Sequence, residues 1–253
     1  MIEFHTVQPF TDTDTVHHGF FGRHGGVSTG EFAGLNASQS TGDAPEPVAE
    51  NRRRIADVLG GNTLVTVKQV HSNRVVTVEA GALPDPTVEA DALVTRRGDV
   101  LLGILTADCA PLLFVDPHAG IIGAAHAGWR GAVTGILTNT VTAMEALGAQ
   151  RRRILLAIGP TISAENYEVG QAFKDDVLNQ NAKAESAFIT PPGGTPHFDL
   201  PLFLAEEAQA LGLSGITETG LCTYAEPSRF FSHRYATHKQ TRTGRQLSVI
   251  GLA

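Results

Sequence analysis

The feature that most constrains this chain is a series of three short apolar segments, the last two separated by a turn sequence. The segments cover residues 101–105, 112–115 and 121–125, and residues 116–120 between the last two read Asp-Pro-His-Ala-Gly. Short apolar runs of this length are typical of buried strands. Proline presets φ and glycine tolerates positive φ, which favours a tight turn. The stretch therefore predicts a buried β-hairpin preceded by a further strand.

The pairing of this hairpin predicts that the thiol of Cys109 and the imidazole of His126 lie close together. If Val115 pairs near Ile121, the register brings Cys109 and Ala110 alongside His126 and Ala127 at the open end. Directly opposed residues in a β-ladder have Cβ atoms about 4.5–5.5 Å apart. The neighbouring residues are mostly alanine and glycine, which leaves room for a ligand to approach.

Composition narrows the class of protein. The chain has 253 residues, 42% of them hydrophobic and 18% charged, as is usual for a globular domain with a sizeable core. A net charge of −7 gives no basic field, so nucleic acid is not an expected partner. There is no signal-peptide pattern and no apolar stretch near membrane-spanning length, so we expect a cytoplasmic protein with no membrane partner. Its two cysteines are then expected to be reduced.

Strand and helix patterns alternate along the rest of the chain. The predicted helices cover residues 48–60, 129–147, 171–179 and 200–211, the last with Asp199 as N-cap; the further predicted strands cover residues 63–68, 74–79, 90–95, 154–158 and 244–250. No linker or internal repeat interrupts the pattern. We therefore predict a mixed α/β (α+β) fold in a single domain, residues 1–253.

Three kinds of chemistry fit a Cys109–His126 pair. With His71, which lies in a polar connection between two predicted strands, the pair would form a His₂Cys metal site suited to Zn²⁺, with a fourth position open for water. Zinc lowers the pKa of such a water to about 7.

The second kind is a metal-free cysteine nucleophile, in which His126 activates Cys109 and an acid such as Asp108 orients the imidazole. The third is copper oxidation, which the sequence disfavours. A blue-copper site usually adds an axial Met, and the chain has only two methionines, of which Met144 falls on the interior face of a predicted helix. No His-x-His pair offers ligands for additional copper ions.

Several motifs together resemble the YfiH/laccase-domain family, whose members have been labelled polyphenol oxidases. These motifs are Arg23-His24-Gly25-Gly26-Val27-Ser28, Lys68-Gln69-Val70-His71, Thr106-Ala107-Asp108-Cys109 and His126-Ala127-Gly128-Trp129-Arg130-Gly131, with later segments at residues 159–160, 167–170 and 243–245. They occur in the family's order over nearly the whole chain.

The resemblance implies a layered sandwich of mixed sheets with flanking helices, and a catalytic zinc at His71, Cys109 and His126. It also implies a purine nucleoside phosphorylase related to laccase domain-containing protein 1, with adenosine deaminase activity. The implied substrates are phosphate and the nucleosides adenosine, inosine, guanosine and 5′-methylthioadenosine.

Such a reaction needs cationic or amide donors for phosphate and polar contacts for the nucleoside. We expect Arg23, Arg130 and Arg245 to be candidates for the phosphate, and Gln69 and Asn36 to be candidate substrate contacts.

Overall fold

The computed structural model describes residues 2–253, which form three β-sheets and seven α-helices. The strands are β1 (Phe4–His5), β2 (Val16–Phe21), β3 (Thr63–Val65), β4 (Val75–Val78), β5 (Ala92–Thr95), β6 (Val100–Thr106), β7 (Ala110–Asp116), β8 (Ile121–Ala127), β9 (Leu155–Ile158), β10 (Phe188–Ile189), β11 (His197–Phe198), β12 (Gly215–Glu218) and β13 (Gln246–Leu252). The helices are α1 (Gln8–Thr11), α2 (Pro45–Val58), α3 (Trp129–Val133), α4 (Ile136–Ala146), α5 (Gln171–Gln180), α6 (Leu200–Ala210) and α7 (His233–His238).

Two large mixed sheets dominate the architecture. One has five strands in the order β1-β2-β13-β6-β3, and the other has six in the order β12-β9-β7-β8-β5-β4. Strands β10 and β11 form a small separate sheet. The mixed α/β class predicted from the sequence is confirmed.

The sheets pack face to face, because successive residues of a strand point to opposite sides. In β7, Leu113 and Val115 contact the core between the two sheets, together with Leu102 and Ile104 of β6. Their β7 neighbours Leu112 and Phe114 belong instead to the core beneath α4, α5 and α6. A third core lies between the five-stranded sheet and α2. The layers therefore run α–β–β–α, and strands covered on both faces read as unbroken apolar runs.

The central hairpin forms, but its register differs by one residue from the prediction. Val115 pairs with Ile122 rather than Ile121, and β7 continues to Asp116, which pairs with Ile121. The Asp116 carboxylate accepts hydrogen bonds from the backbone N–H groups of His118 and Ala119, at 3.0 and 3.1 Å. This side-chain turn closes the hairpin one residue later than the Pro-Gly pattern indicates.

The predicted helix over residues 129–147 is two helices. It breaks at Gly135, whose φ of +93° is left-handed and cannot continue a right-handed helix. Helix α6 begins as predicted, with the Asp199 side chain accepting a hydrogen bond from the Leu202 N–H at 3.0 Å.

The chain crosses between the large sheets at two connections that matter for the site. The segment from β3 to β4 leaves the five-stranded sheet for the six-stranded one, and so does the segment from β6 to β7. The first contains His71 and the second contains Cys109. In residues 2–253 every helix is too short or too polar to traverse a lipid bilayer.

Candidate metal centre

Three side chains from separate parts of the chain converge at one end of the central hairpin. His126 lies near the end of β8, while Cys109 and His71 lie in the two connections between the sheets. His71 has a φ of +60° and Asp108, directly before Cys109, has a φ of +87°. Non-glycine residues in the left-handed region are uncommon and are enriched at functional sites. The two left-handed residues are therefore a candidate ligand, His71, and the residue directly before another, Cys109.

The donor atoms of His71, Cys109 and His126 all lie within 4.8 Å of one another. Cys109 Sγ is 3.8 Å from His71 Nε2. In a tetrahedral zinc site, sulfur and nitrogen ligands stand about 3.6 Å apart, given Zn–S of about 2.3 Å and Zn–N of about 2.0–2.1 Å. A thiolate with two imidazoles is also a donor set that zinc favours. The residues present therefore fit a single zinc ion.

Gly128 makes this close approach possible. A Cβ at this position would lie 2.7 Å from His71 Cδ2 and 3.1 Å from Cys109 Sγ. Any larger residue would push these two side chains apart. His71 is exposed, Cys109 is half-buried and His126 is buried, so the cluster is open to solvent on the His71 side.

A buried carboxylate orients two of the candidate ligands. The Asp91 side chain is fully buried and lies 2.8 Å from His126 Nδ1. It also accepts hydrogen bonds from the backbone N–H groups of Val70, His71 and Ser72 and from the Ser72 hydroxyl. Asp91 therefore holds the His71 loop and leaves His126 Nε2 directed at the cluster, as carboxylates do at histidine–zinc sites.

The same contacts set the protonation of the site. Burial raises the pKa of the Asp91 carboxyl, but hydrogen bonds from His126 and Ser72 outweigh burial and lower the pKa to about 2. Burial likewise raises the pKa of the Cys109 thiol, but the charge of His126 and the hydrogen bonds of both histidines lower it to about 6. Burial lowers the pKa of His126, whereas Cys109 and Asp91 raise it, with a net rise. The thiolate, the form that binds metals and attacks electrophiles, is favoured at neutral pH.

Asp108, which directly precedes Cys109, fixes this part of the chain through hydrogen bonds to other segments. Its carboxylate accepts hydrogen bonds from the Thr223 hydroxyl at 2.7 Å and from the Arg234 N–H at 2.6 Å. Its carbonyl accepts from the Thr161 hydroxyl at 2.6 Å. Because these bonds occupy Asp108, it is not the acid that orients His126; Asp91 is. The sequence interpretation left this role to Asp108 or another acid, and the structure places Asp91 beside His126.

The cluster forms part of the wall of an open cavity of about 570 Å³, within the size range of small-ligand sites. Its lining contains all three cluster residues together with Ser38, Gln39, Ser40, Arg52, Thr66, Val67, Lys68, Gln69, Pro86, Leu105, Thr106, Ala107, His233 and Arg245. Gln69 is held in place because its amide bonds both the N–H and the C=O of Leu105, at 2.8 and 2.7 Å.

The structure brings two of the five predicted substrate contacts, Gln69 and Arg245, to this cavity, and the other three lie elsewhere. Arg23 donates to the carbonyls of Ala33 and Pro227. Asn36 is fully buried, and its side chain bonds several loop groups, among them the N–H of Arg245. Arg130 lies over the ring of Trp129 at 4.6 Å.

Sequence reasoning assigned no role at the site to Asp91, Arg52 or Thr106. Asp91 carries a usable signal, because it is an acid flanked by Ala90 and Ala92 at the start of a predicted buried strand, and buried carboxylates are rare unless paired. Arg52 gives no such signal, because it lies in a run of three arginines on a helix.

Comparisons with known proteins report what the whole chain is similar to. The family described as multi-copper polyphenol oxidoreductase laccase matches residues 17–253. The chain is 42% identical over 240 residues to the purine nucleoside phosphorylase of Deinococcus radiodurans, covering 94% of this chain and 89% of that protein. It is 38% identical over 236 residues to a purine nucleoside phosphorylase of Corynebacterium glutamicum, covering 92% and 93%. The crystal structure of YfiH from Bacillus licheniformis superposes with a TM-score of 0.84 at 32% identity, covering 94% and 93%.

Proposed function

The chain belongs to the family described as multi-copper polyphenol oxidoreductase laccase, and from that premise we propose that it is a zinc-dependent purine nucleoside phosphorylase with adenosine deaminase activity. The proposed nucleosides are adenosine, inosine, guanosine and 5′-methylthioadenosine, and the second substrate is phosphate. The phosphorylase activity is supported by the names of relatives at 42% and 38% identity. The zinc, the deaminase activity and the substrate range rest on the resemblance of the motifs.

The observation that carries the proposal is the convergence of one thiol and two imidazoles on the wall of a ligand-sized cavity. We assign His71, Cys109 and His126 as zinc ligands. The chemistry expected of a zinc ion there is Lewis acidity toward the substrate or a water molecule.

The chain's own side chains supply the rest of the mechanism. Asp91 fixes the ring of His126 and the loop of His71 through its hydrogen bonds. Gln69 lines the cavity with its amide fixed against Leu105, and we assign it as a nucleoside contact. Arg245 supplies positive charge for the phosphate that attacks ribose C1′ as the purine base departs.

A metal-free thiol enzyme is the second candidate, favoured by the lowered pKa of Cys109 beside His126. Copper oxidation has less support. Within residues 2–253, one group of three or more possible metal ligands occurs, whereas multicopper chemistry needs several. Met144 is fully buried in the core beneath α4 and is not a cavity residue.

The test measures metal content and products in the same preparation. We expect about one zinc per chain, release of free base and ribose 1-phosphate from inosine only when phosphate is present, and phosphate-independent conversion of adenosine to inosine. Full activity after zinc removal would favour the thiol enzyme, and oxygen consumption with a phenol would favour copper oxidation. Either result would contradict the proposal.

A further inference from the structure

The cavity has a charge pattern opposite to that of the whole protein. The chain carries a net charge of −7, yet of the described residues that line the cavity none is Asp or Glu, while Arg52, Lys68 and Arg245 are all present. Lys68 is neutralised by an ion pair with Glu89 at 2.8 Å. Outside the cluster of His71, Cys109 and His126, the two arginines therefore carry the positive charge that this cavity offers to a ligand.

Arg52 has only neutral partners in residues 2–253. It projects from α2 and donates hydrogen bonds to the Ala37 carbonyl at 3.2 Å and to the Thr66 hydroxyl at 2.9 Å. Burial lowers the pKa of its guanidinium, with no carboxylate to offset it. Its neighbours Arg53 and Arg54 on the same helix both pair with Glu50. Arg52 is half-buried, and a partly desolvated cation without a counter-charge is costly unless an anion binds to it.

Arg245, near the metal centre, likewise has only neutral hydrogen-bond acceptors in the described chain. Its guanidinium donates to the carbonyls of Thr243 and Gly244, at 3.3 and 2.9 Å, and both are neutral acceptors. Burial lowers the pKa of this guanidinium, and the nearby charges of Cys109 and Asp108 oppose that effect. Arg245 therefore lies close enough to the cluster to present a bound anion to a substrate there.

Thr106 adds an unpaired hydroxyl to the same cavity. Its side chain is 1% exposed, and its Oγ1 lacks a hydrogen-bond partner within residues 2–253. It lines the cavity at the end of β6, opposite Gln246, which directly follows Arg245 in the chain. Buried hydroxyls are nearly always hydrogen-bonded, so this one is free to donate to a ligand oxygen that reaches it from the cavity.

We propose that Arg52, Arg245 and Thr106 form the subsite that binds inorganic phosphate. Guanidinium groups bind tetrahedral oxyanions through charge-assisted hydrogen bonds, and a hydroxyl donates to a further phosphate oxygen. The choice of inorganic phosphate rests on the proposed function, whereas the anion site itself rests on the charge and burial of these residues. The phosphate group of a nucleoside monophosphate has the same chemistry and is the alternative source.

The experiment is isothermal titration of the protein, loaded with stoichiometric zinc, with inorganic phosphate and separately with AMP. We expect Arg52→Gln and Arg245→Gln each to weaken phosphate binding at least about tenfold, equivalent to about 1.4 kcal/mol. Arg53→Gln is the matched control, because Arg53 is one residue away on the same helix but exposed and paired with Glu50 and Asp57. Its phosphate affinity should stay at the wild-type value.

The Thr106→Val variant distinguishes a loss of phosphate binding from a loss of folding stability. It removes a hydroxyl that bonds nothing in the described chain, so the melting temperature without phosphate should stay the same or rise, while phosphate affinity falls. Because Arg52 also bridges Ala37 and Thr66, Arg52→Gln could weaken the fold. Thr106→Val keeps the proposal testable in that case.

Failure of the phosphate subsite and failure of the proposed function give different results. Wild-type phosphate affinity in folded Arg245→Gln and Thr106→Val would overturn the subsite, even if phosphorolysis were observed. Phosphate binding that these variants weaken, in a protein that cleaves no nucleoside, would support the subsite and contradict the proposed function. Binding of AMP without binding of inorganic phosphate would overturn the choice of ligand.

Discussion

At the scale of single residues, Asp91 has the largest influence on the candidate metal centre. One buried carboxylate bonds the ring of His126 and the backbone of His71, so two ligand positions depend on a single side chain. Such partners of metal-binding histidines typically change metal affinity or activity by about 10–100-fold when they are altered.

We therefore expect Asp91→Asn to lower zinc affinity by about 10–100-fold, because the amide replaces one acceptor oxygen with a donor. Competition with a chromogenic chelator measures the change. Ser72→Ala is the graded control, since it removes one of the donors to Asp91 and should have a smaller effect. Zinc affinity at the wild-type value in a folded Asp91→Asn protein would contradict the positioning role.

His18, which lies on β2 and is not among the cavity-lining residues, gives a pH-dependent prediction. It is buried, and its Nε2 accepts a hydrogen bond from the Val7 N–H at 2.9 Å. Burial lowers its pKa from 6.5 to about 4, so it must be neutral in the folded protein. Because the unfolded chain binds the proton more tightly, stability present above about pH 6.5 is lost as pH falls toward about 4, by up to about 3 kcal/mol.

Urea unfolding between about pH 7 and about pH 4 tests this, with His18→Gln as the variant. The variant keeps an acceptor for Val7 but cannot titrate, so its stability should fall less steeply with acid than that of the wild type. His17→Gln is the control, because His17 is adjacent but exposed and should leave the acid dependence unchanged. Equal slopes for wild type and His18→Gln would refute the assignment.

At the scale of elements, the break between α3 and α4 shows how one backbone conformation overrides an apolar pattern. The spacing of apolar residues after Trp129 is continuous, but Gly135 adopts a left-handed φ and starts a new helix. The break lets α3 follow β8 at the metal centre while α4 packs its buried face on the six-stranded sheet.

Gly135→Ala should destabilise the protein by about 1–2 kcal/mol, because a side chain in the left-handed region is strained even where there is space. A Cβ there would meet only Thr138 at 4.0 Å, so a steric clash is not the cause. Gly98→Ala is the matched control, since its Cβ would enter open space without a positive φ. Thermal unfolding should separate the two variants, and equal melting temperatures would contradict the strain argument.

At the scale of the whole molecule, the metal centre lies where the chain passes from one large sheet to the other. His71 and Cys109 belong to these two connections and His126 to the six-stranded sheet, so a bound ion would link both sheets. A ligand that binds only the folded state stabilises it by mass action.

Removal of zinc by a chelator should therefore lower the melting temperature, because free zinc at 100 times its dissociation constant contributes about 2.7 kcal/mol. Differential scanning calorimetry with and without chelator measures the shift. Cys109→Ser should abolish it, whereas Cys222→Ser, which alters the other free cysteine, should retain it. A chelator-induced shift of wild-type size in Cys109→Ser would exclude Cys109 as a ligand.

The sequence by itself determined the mixed α/β class, the central hairpin and the family, each of which is confirmed. These depend on local periodicity, turn chemistry and contiguous motifs, all of which are readable along the chain. It also predicted the three residues of the candidate site: the hairpin pattern paired Cys109 with His126, and His71 was the third ligand offered from a polar connection between two predicted strands.

Only the tertiary structure decided which other residues surround that cluster. The role of Asp91 depends on contacts with residues 20 and 35 positions away. Arg23 and Asn36 bind protein groups instead of lining the cavity, while Arg52, one of three adjacent arginines, faces into it. Sequence patterns indicate which residue types are available. The hydrogen-bond or ion-pair partner of each side chain depends on contacts distant along the chain, and for a charged side chain that partner determines its role.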